Sequence, residues 1–184
     1  MLYPVSLKIV ALIAGLLLIG AHLWAFLKTE QAQDFLRKLP RSRNFGIGLL
    51  TVALVWGMWL IFTVDLGEFN GFKTWLYIVV PVLYGLSIRY LDDFLAVRAL
   101  GMLALLAAKP LLEAAYLRPE LSRLLVVVLA YVWVIAGLFW VGMPYIMRDQ
   151  IAWVQKNLLR WQVATASGVA YGVLLVICAF TQYH

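Results

Sequence analysis

FGIGLLTVALVWGMWLIFTV, residues 45–64, runs for 20 positions without an Asp, Glu, Lys or Arg. The hydrocarbon core of a bilayer is roughly 30 Å thick and takes about 20 helical residues to cross. Lipid offers no hydrogen bonds, so a segment of this kind must satisfy its own backbone, which a lone stretch achieves only as an α-helix. Outward from it lie five further apolar runs, at 9–27, 74–88, 95–117, 124–147 and 163–180. The fold class that follows is an all-α polytopic transmembrane bundle of about six spans in a single domain, residues 1–184.

The runs differ in quality. Residues 74–88 are few for a crossing, but Lys73 and Arg89 bracket them and can snorkel outward to extend their apolar reach. The run at 95–117 contains Lys109, Pro110 and Glu113. Two readings stay open there: a full crossing, or a helix that stops at Lys109-Pro110 and leaves 109–122 lying at the surface. The run at 124–147 is long enough to tilt and carries Pro144 near its end. The first run has Lys8 before it, exceeds the length of a signal-peptide core and is followed by no small-residue cleavage pattern, so it reads as a retained helix.

Composition agrees. Apolar residues make up 65% of the chain and charged residues 13%, and the mean hydropathy of +0.91 leaves no material for a separate water-soluble domain. The net charge of +6 resembles that of a nucleic-acid binder, yet the cations stand at the ends of apolar runs, where lipid headgroups are. Nucleic acid is therefore not an expected partner. Cys178 is the only cysteine, so an intrachain disulfide is excluded.

Orientation follows from the cations of the short connections, because basic loops tend to remain in the cytoplasm. One side holds Lys28, Arg37, Lys38, Arg41, Arg43, Arg89, Arg98, Arg148, Lys156 and Arg160; the other holds Lys8, Lys73, Arg118 and Arg123, joined by Lys109 if it snorkels there. The ten-residue side is expected in the cytoplasm and both termini outside, in the cell (inner) membrane. On the cytoplasmic side Ile151, Val154, Leu158 and Trp161 recur at helical spacing opposite Arg148, Lys156 and Arg160, which reads as an interfacial amphipathic helix. Residues 29–43 form a poorer second example, interrupted by Pro40.

Few residues have the chemistry of a site. Lys109 and Glu113 are four apart on one helix face, where they can pair, and a charge near the bilayer centre costs about 2.5–3.5 kcal/mol on insertion scales. Arg89, Asp92, Asp93 and Arg98 cluster in one cytoplasmic turn. Paired aspartates there can hold Mg²⁺ against a lipid diphosphate, but the further aspartates that such enzymes use at set spacings are absent, and a self-neutralising turn explains the cluster more simply. His22 is the one histidine inside a span and can serve as a single axial ligand to a haem or pigment. His184 is at the opposite face, which leaves Met58 or Met143 as second ligands, and a hydrogen-bonded packing histidine beside Trp24 is the simpler reading. In the last run Ala164, Gly168 and Gly172 form a small-x-x-x-small ladder for close helix packing.

No glycine-rich phosphate loop, H-E-x-x-H, metal-spaced Cys/His cluster or G-x-S-x-G elbow occurs in the sequence. The leading expectation is a non-catalytic membrane-embedded subunit or scaffold, with the lipid bilayer and other membrane subunits or a homo-oligomer as partners. The alternatives are a small-solute or ion transporter or channel using Lys109, Glu113 and the Pro81 and Pro110 breaks, and a lipid- or quinone-reactive enzyme using Asp92-Asp93.

Overall fold

The computed structural model describes residues 3, 5–91 and 94–183. These residues form eight α-helices and no strand: α1 (Leu7–Leu27), α2 (Thr29–Lys38), α3 (Arg43–Thr63), α4 (Lys73–Tyr90), α5 (Leu95–Ala115), α6 (Arg123–Gly142), α7 (Tyr145–Gln155) and α8 (Leu158–Thr181). Six of them, α1, α3, α4, α5, α6 and α8, are long and apolar enough to cross a membrane. The chain is thus an all-α bundle that fits a multi-pass membrane protein in a lipid bilayer. The short helices α2 and α7 each link two of the long ones at the same end of the bundle, the end that carries the ten cations.

Local chemistry sets the helix ends. The Ser6 hydroxyl accepts from Ile9 N at 3.4 Å to start α1, and Asn157 Oδ1 accepts from Leu159 N at 2.9 Å to start α8. Pro144 disfavours a helical conformation at the residue before it, and Met143 leaves the helix at φ −132°, ψ 70°. The fifth crossing consequently stops at Gly142, not at 147, and Tyr145–Met147 open α7. Leu158 and Trp161, expected on the interfacial helix, fall instead in the first turn of α8, because α7 ends at Gln155 and Asn157 caps a new helix. Pro110 does not stop α5, which continues to Ala115; the reading in which 109–122 forms a surface segment is replaced by a helix that carries both Lys109 and Glu113. On the far side, Asp65 Oδ1 accepts from the Asn70 amide and, at 3.0 Å, from Gly67 N. These bonds, the Asn70 bond foremost, hold the Asp65 carboxyl below its ordinary range, so their small contribution is present at neutral pH and is lost as the carboxylate protonates in acid.

Two antiparallel pairs, α1 with α8 and α5 with α6, form the centre of the bundle, α3 packs on the outer side of α5, and α4 lies beyond α3. Each pair closes at a glycine crossing. A Cβ on Gly172 would lie 2.8 Å from Gly15 O, and one on Gly137 would lie 2.8 Å from Gly101 O, inside van der Waals contact with backbone. The same limit applies at Gly46, where a Cβ would lie 2.7 Å from Ala96 N and keep α3 off α5. Lipid tails are as apolar as leucine, so helices associate in a membrane by packing and hydrogen bonding, and small residues let backbones come close enough for both.

Burial along the central helices alternates by four and three. On α8 the sequence is Trp161, Thr165, Gly168, Leu175 and Ala179 with Gly172 between, of which all but Gly168 are buried; on α5 it is Val97, Gly101, Ala108, Leu111 and Ala115. A 3.5-residue repeat is the mark of helices that wind around each other with interlocking side chains. The largest core cluster joins both pairs through Ala11, Ala14, Ala108, Ala114, Ala130 and Leu175, away from the basic end. Tyr183 closes it from below, 1% exposed, donating from its hydroxyl to Ser122 O at 2.7 Å, while Tyr171 donates to Leu125 O at 2.7 Å and ties α8 to α6. Gly101→Leu and Gly172→Leu are each expected to destabilise the bundle by about 1–3 kcal/mol through overpacking. Gly20→Leu and Gly48→Leu, whose added Cβ meets nothing within 4 Å, are expected to stay within about 0.5 kcal/mol. Reversible unfolding in mixed micelles gives the comparison.

Candidate functional site at the basic end of the bundle

The two short helices meet. Arg37 Nε on α2 donates to Gln155 Oε1 on α7 at 2.7 Å, and Gln155 Nε2 donates to Gln33 O at 3.0 Å. One glutamine thus uses both ends of its amide to hold α2 against α7. Each helix has one apolar side because it lies over the ends of the long helices, and its charged side faces outward.

Two cavities with opposite linings border these helices. One, of about 530 Å³, is apolar and lies beneath α2 and α7, among α1, α6 and α8; His22, Trp24, Phe35, Trp140, Met147 and Trp161 line it. Trp161 is 3% exposed and donates from Nε1 to Ala25 O at 3.2 Å, which fastens the start of α8 to the end of α1. The other cavity, of about 480 Å³, is bounded by Arg37, Arg41, Arg148 and Lys156 together with Phe94 and Gln155. Leu36 and Ile151 line both cavities and form the wall between them.

Among the described residues no carboxylate lines the basic cavity; Asp92 and Asp93, which precede Phe94 in the chain, lie outside them. Among the described residues, Arg148 pairs with its neighbour Asp149 at 2.8 Å, while no ion pair within 4.0 Å engages Arg37, Arg41 or Lys156. Phe94 forms part of the wall and lies under Arg148, whose Cζ is 6.0 Å from the ring centroid. Its backbone is left-handed, φ 60° and ψ 23°, a region that costs a bulky residue on the order of 1–3 kcal/mol and is tolerated where the surroundings hold it.

The residues singled out in the sequence are spread over the molecule. His22 lines the apolar cavity and a smaller one of about 300 Å³ beside Tyr171. Its Nδ1 is 2.9 Å from Leu18 O, and since a carbonyl only accepts, Nδ1 is the donor of that bond. The ring occupies the space that a side chain at position 168 would need, so Gly168 is what admits it. Met147 shares the apolar cavity with His22, whereas Met58 and Met143 line neither cavity. Gly172 sits at the α1 crossing, and Ala164 lines both cavities next to His22.

Lys109 and Glu113 lie near the other end of α5, their charged atoms 4.0 Å apart. Glu113 also reaches a second partner. Its Oε2 accepts from Tyr3 N at 3.0 Å, and the Tyr3 hydroxyl accepts from Trp56 Nε1 at 2.6 Å. The carboxylate therefore fastens the segment before α1 across α5 and α3. Of the charged turn, Arg89 is exposed at the end of α4 and Arg98 is half-buried in the first turn of α5 with its Nε enclosed and without a hydrogen-bond partner; Asp92 and Asp93 lie outside the described residues. Among the described residues, no group of three or more His, Cys, Asp and Glu could hold a metal ion.

Comparison with protein-family models, curated proteins and solved structures gives no match. The geometry alone therefore bears on function. The basic cavity leaves no local trace in the sequence because its four cations come from two segments more than a hundred positions apart, and what joins them is the pairing of α2 with α7. Lys109→Ala removes only a loose, partly exposed pair and is expected to change stability by less than about 0.5 kcal/mol. Glu113→Ala also leaves the Tyr3 amide without its acceptor and is expected to cost about 1–2 kcal/mol. Chemical unfolding of both variants in the same micelle checks the order.

Proposed function

We propose that the chain is a non-catalytic membrane-embedded subunit or scaffold, held in the cell (inner) membrane with its basic end in the cytoplasm and both termini outside. The observation that carries the reading is α4. It is 18 residues long and none of them is buried. Its neighbour within the chain is α3, met through Thr51 Oγ1 and Tyr84 OH at 2.8 Å, Arg43 Nη2 and Ile88 O at 3.3 Å, and the Phe62 and Tyr77 rings at 6.1 Å. Helices in lipid gain from packing against protein, not from leaving water, so a crossing helix with so little contact inside its own chain has most of its packing surface to offer to another. An apolar groove of about 370 Å³ runs between α3, α4 and α5, lined by Leu54, Gly57, Val80 and Leu83 among others. The bulk of the chain then acts as the rigid part that presents this edge.

Photo-crosslinkers placed at Val82 and Leu86 of α4 are expected to give a discrete protein adduct of fixed mass in the native membrane. Adducts to lipid alone at both positions would overturn the subunit reading. The orientation has its own test, made in a Cys178→Ala background. Asn70→Cys is expected to react with a membrane-impermeant maleimide in intact cells, and Ser42→Cys only after the cells are opened. The reverse pattern would invert the proposed orientation.

A further inference from the structure

We infer that the two cavities under α2 and α7 form one binding site for a membrane lipid with a phosphate-bearing, anionic headgroup. The charge is the first argument. Arg37, Arg41, Arg148 and Lys156 line a cavity of about 480 Å³ with no carboxylate among its described lining residues, and of the four only Arg148 has an ion-pair partner there, its neighbour Asp149. Cations gathered around one cavity repel one another, and an anion among them relieves that repulsion. Guanidinium groups suit phosphate because their fixed fork of donors matches two of its oxygens, and three of these four side chains are arginines.

The second argument is the adjoining space. Leu36 and Ile151 border both the basic cavity and an apolar one of about 530 Å³, lined by Trp24, Phe35, Trp140 and Trp161. A soluble anion has no use for such a neighbour; an amphiphile has a use for both. The third argument is position. The apolar cavity lies where α1 and α6 end and α8 begins, the level at which indoles sit among headgroups, and the basic cavity adjoins it at Leu36 and Ile151. Lipid is thereby favoured over an acidic peptide, which would approach from the aqueous side and would leave the apolar cavity empty.

The site is also built. Gln155 locks α2 to α7 from one side, and Phe94, strained into a left-handed backbone, supports Arg148 from the other. Among the described residues Arg41 and Lys156 are exposed cations without an ion-pair partner, so replacing them by glutamine tests the charge without breaking an ion pair.

The probes are phosphatidylglycerol and phosphatidylcholine of equal chain length, dihexanoyl-phosphatidylglycerol, and inorganic phosphate, each added to the delipidated full chain in a neutral detergent and read by native mass spectrometry. Phosphatidylglycerol is expected to be retained at least about tenfold better than phosphatidylcholine and than its six-carbon analogue. The double variant Arg41→Gln/Lys156→Gln is expected to lose about thirtyfold in phosphatidylglycerol affinity, the loss typical of two cations at an anionic surface, with its unfolding transition unchanged. Ala21→Phe, which projects into the apolar cavity, is expected to erase the chain-length preference while leaving the headgroup preference. Equal retention of the two long-chain lipids would overturn the proposal. So would wild-type affinity in the double variant, or displacement of the lipid by millimolar inorganic phosphate, which would mark a site for a soluble anion. A protein or peptide that competes with the lipid for the same arginines would likewise replace lipid as the occupant.

Discussion

Backbone-to-backbone approach at two glycine crossings is the constraint from which the rest of the arrangement follows. Where Gly15 meets Gly172 and Gly101 meets Gly137, one methyl group would push the helices apart. Because the apolar side chains gain nothing from leaving lipid for protein, that approach has to be rewarded by dispersion summed over many close atoms, and the reward falls steeply with separation. The small residues next along each helix, Ala108 and Ala115 on α5 and Thr165 and Ala179 on α8, extend the contact over the helix length at intervals of seven. Once the two pairs are set, Gly46 admits α3 to the free side of α5, and α4 takes the edge that is left.

The architecture is legible because it rests on the coarsest signal a sequence carries, the length of uncharged runs. A stretch such as 45–64 has one physical solution in lipid. Boundaries are less legible wherever a helix passes between two environments. Pro144 reads as a late kink in a long crossing, yet its effect on Met143 makes it the boundary between a crossing and an interfacial helix. Pro110 shows the opposite: a helix supported by neighbours on both sides, here α3 and α6, keeps its course through a missing hydrogen bond. Pro81 is likewise carried inside α4, which has no buried residue, so packing on both sides is not required, and the same residue type ends one helix and leaves two others intact.

The candidate sites are legible in part, and for a consistent reason. A ladder such as Ala164, Gly168 and Gly172 follows a four-residue step that is easily seen, yet the buried row on α8 runs through Thr165, Gly172 and Ala179, a seven-residue step in which only one member is a glycine. Gly101 and Gly137 escape a search for ladders because no small residue stands four positions before or after either of them, and Gly46 crosses α5 at Ala96 with no glycine opposite. Lys109 and Glu113 stand out as charges in a span, but the second contact of Glu113, to the backbone of Tyr3, lies 110 positions away and leaves no local trace. The cations of the basic cavity read one by one as topology markers; their convergence is a property of how α2 and α7 pair.

The pairing of α1 with α8 also has a temporal side. In the order in which a ribosome makes these eight helices, α1 comes first and α8 last, with roughly 130 residues between the end of one and the start of the other. At about 5–20 residues per second, α1 waits on the order of ten seconds for its partner. Through that interval its glycine face meets lipid, or an insertion factor, or a passing helix. The α5 and α6 pair has no such delay, since only a short turn separates them. Assembly is therefore asymmetric: the middle of the chain can settle as it is made, whereas the outer pair closes the bundle only when translation has delivered α8.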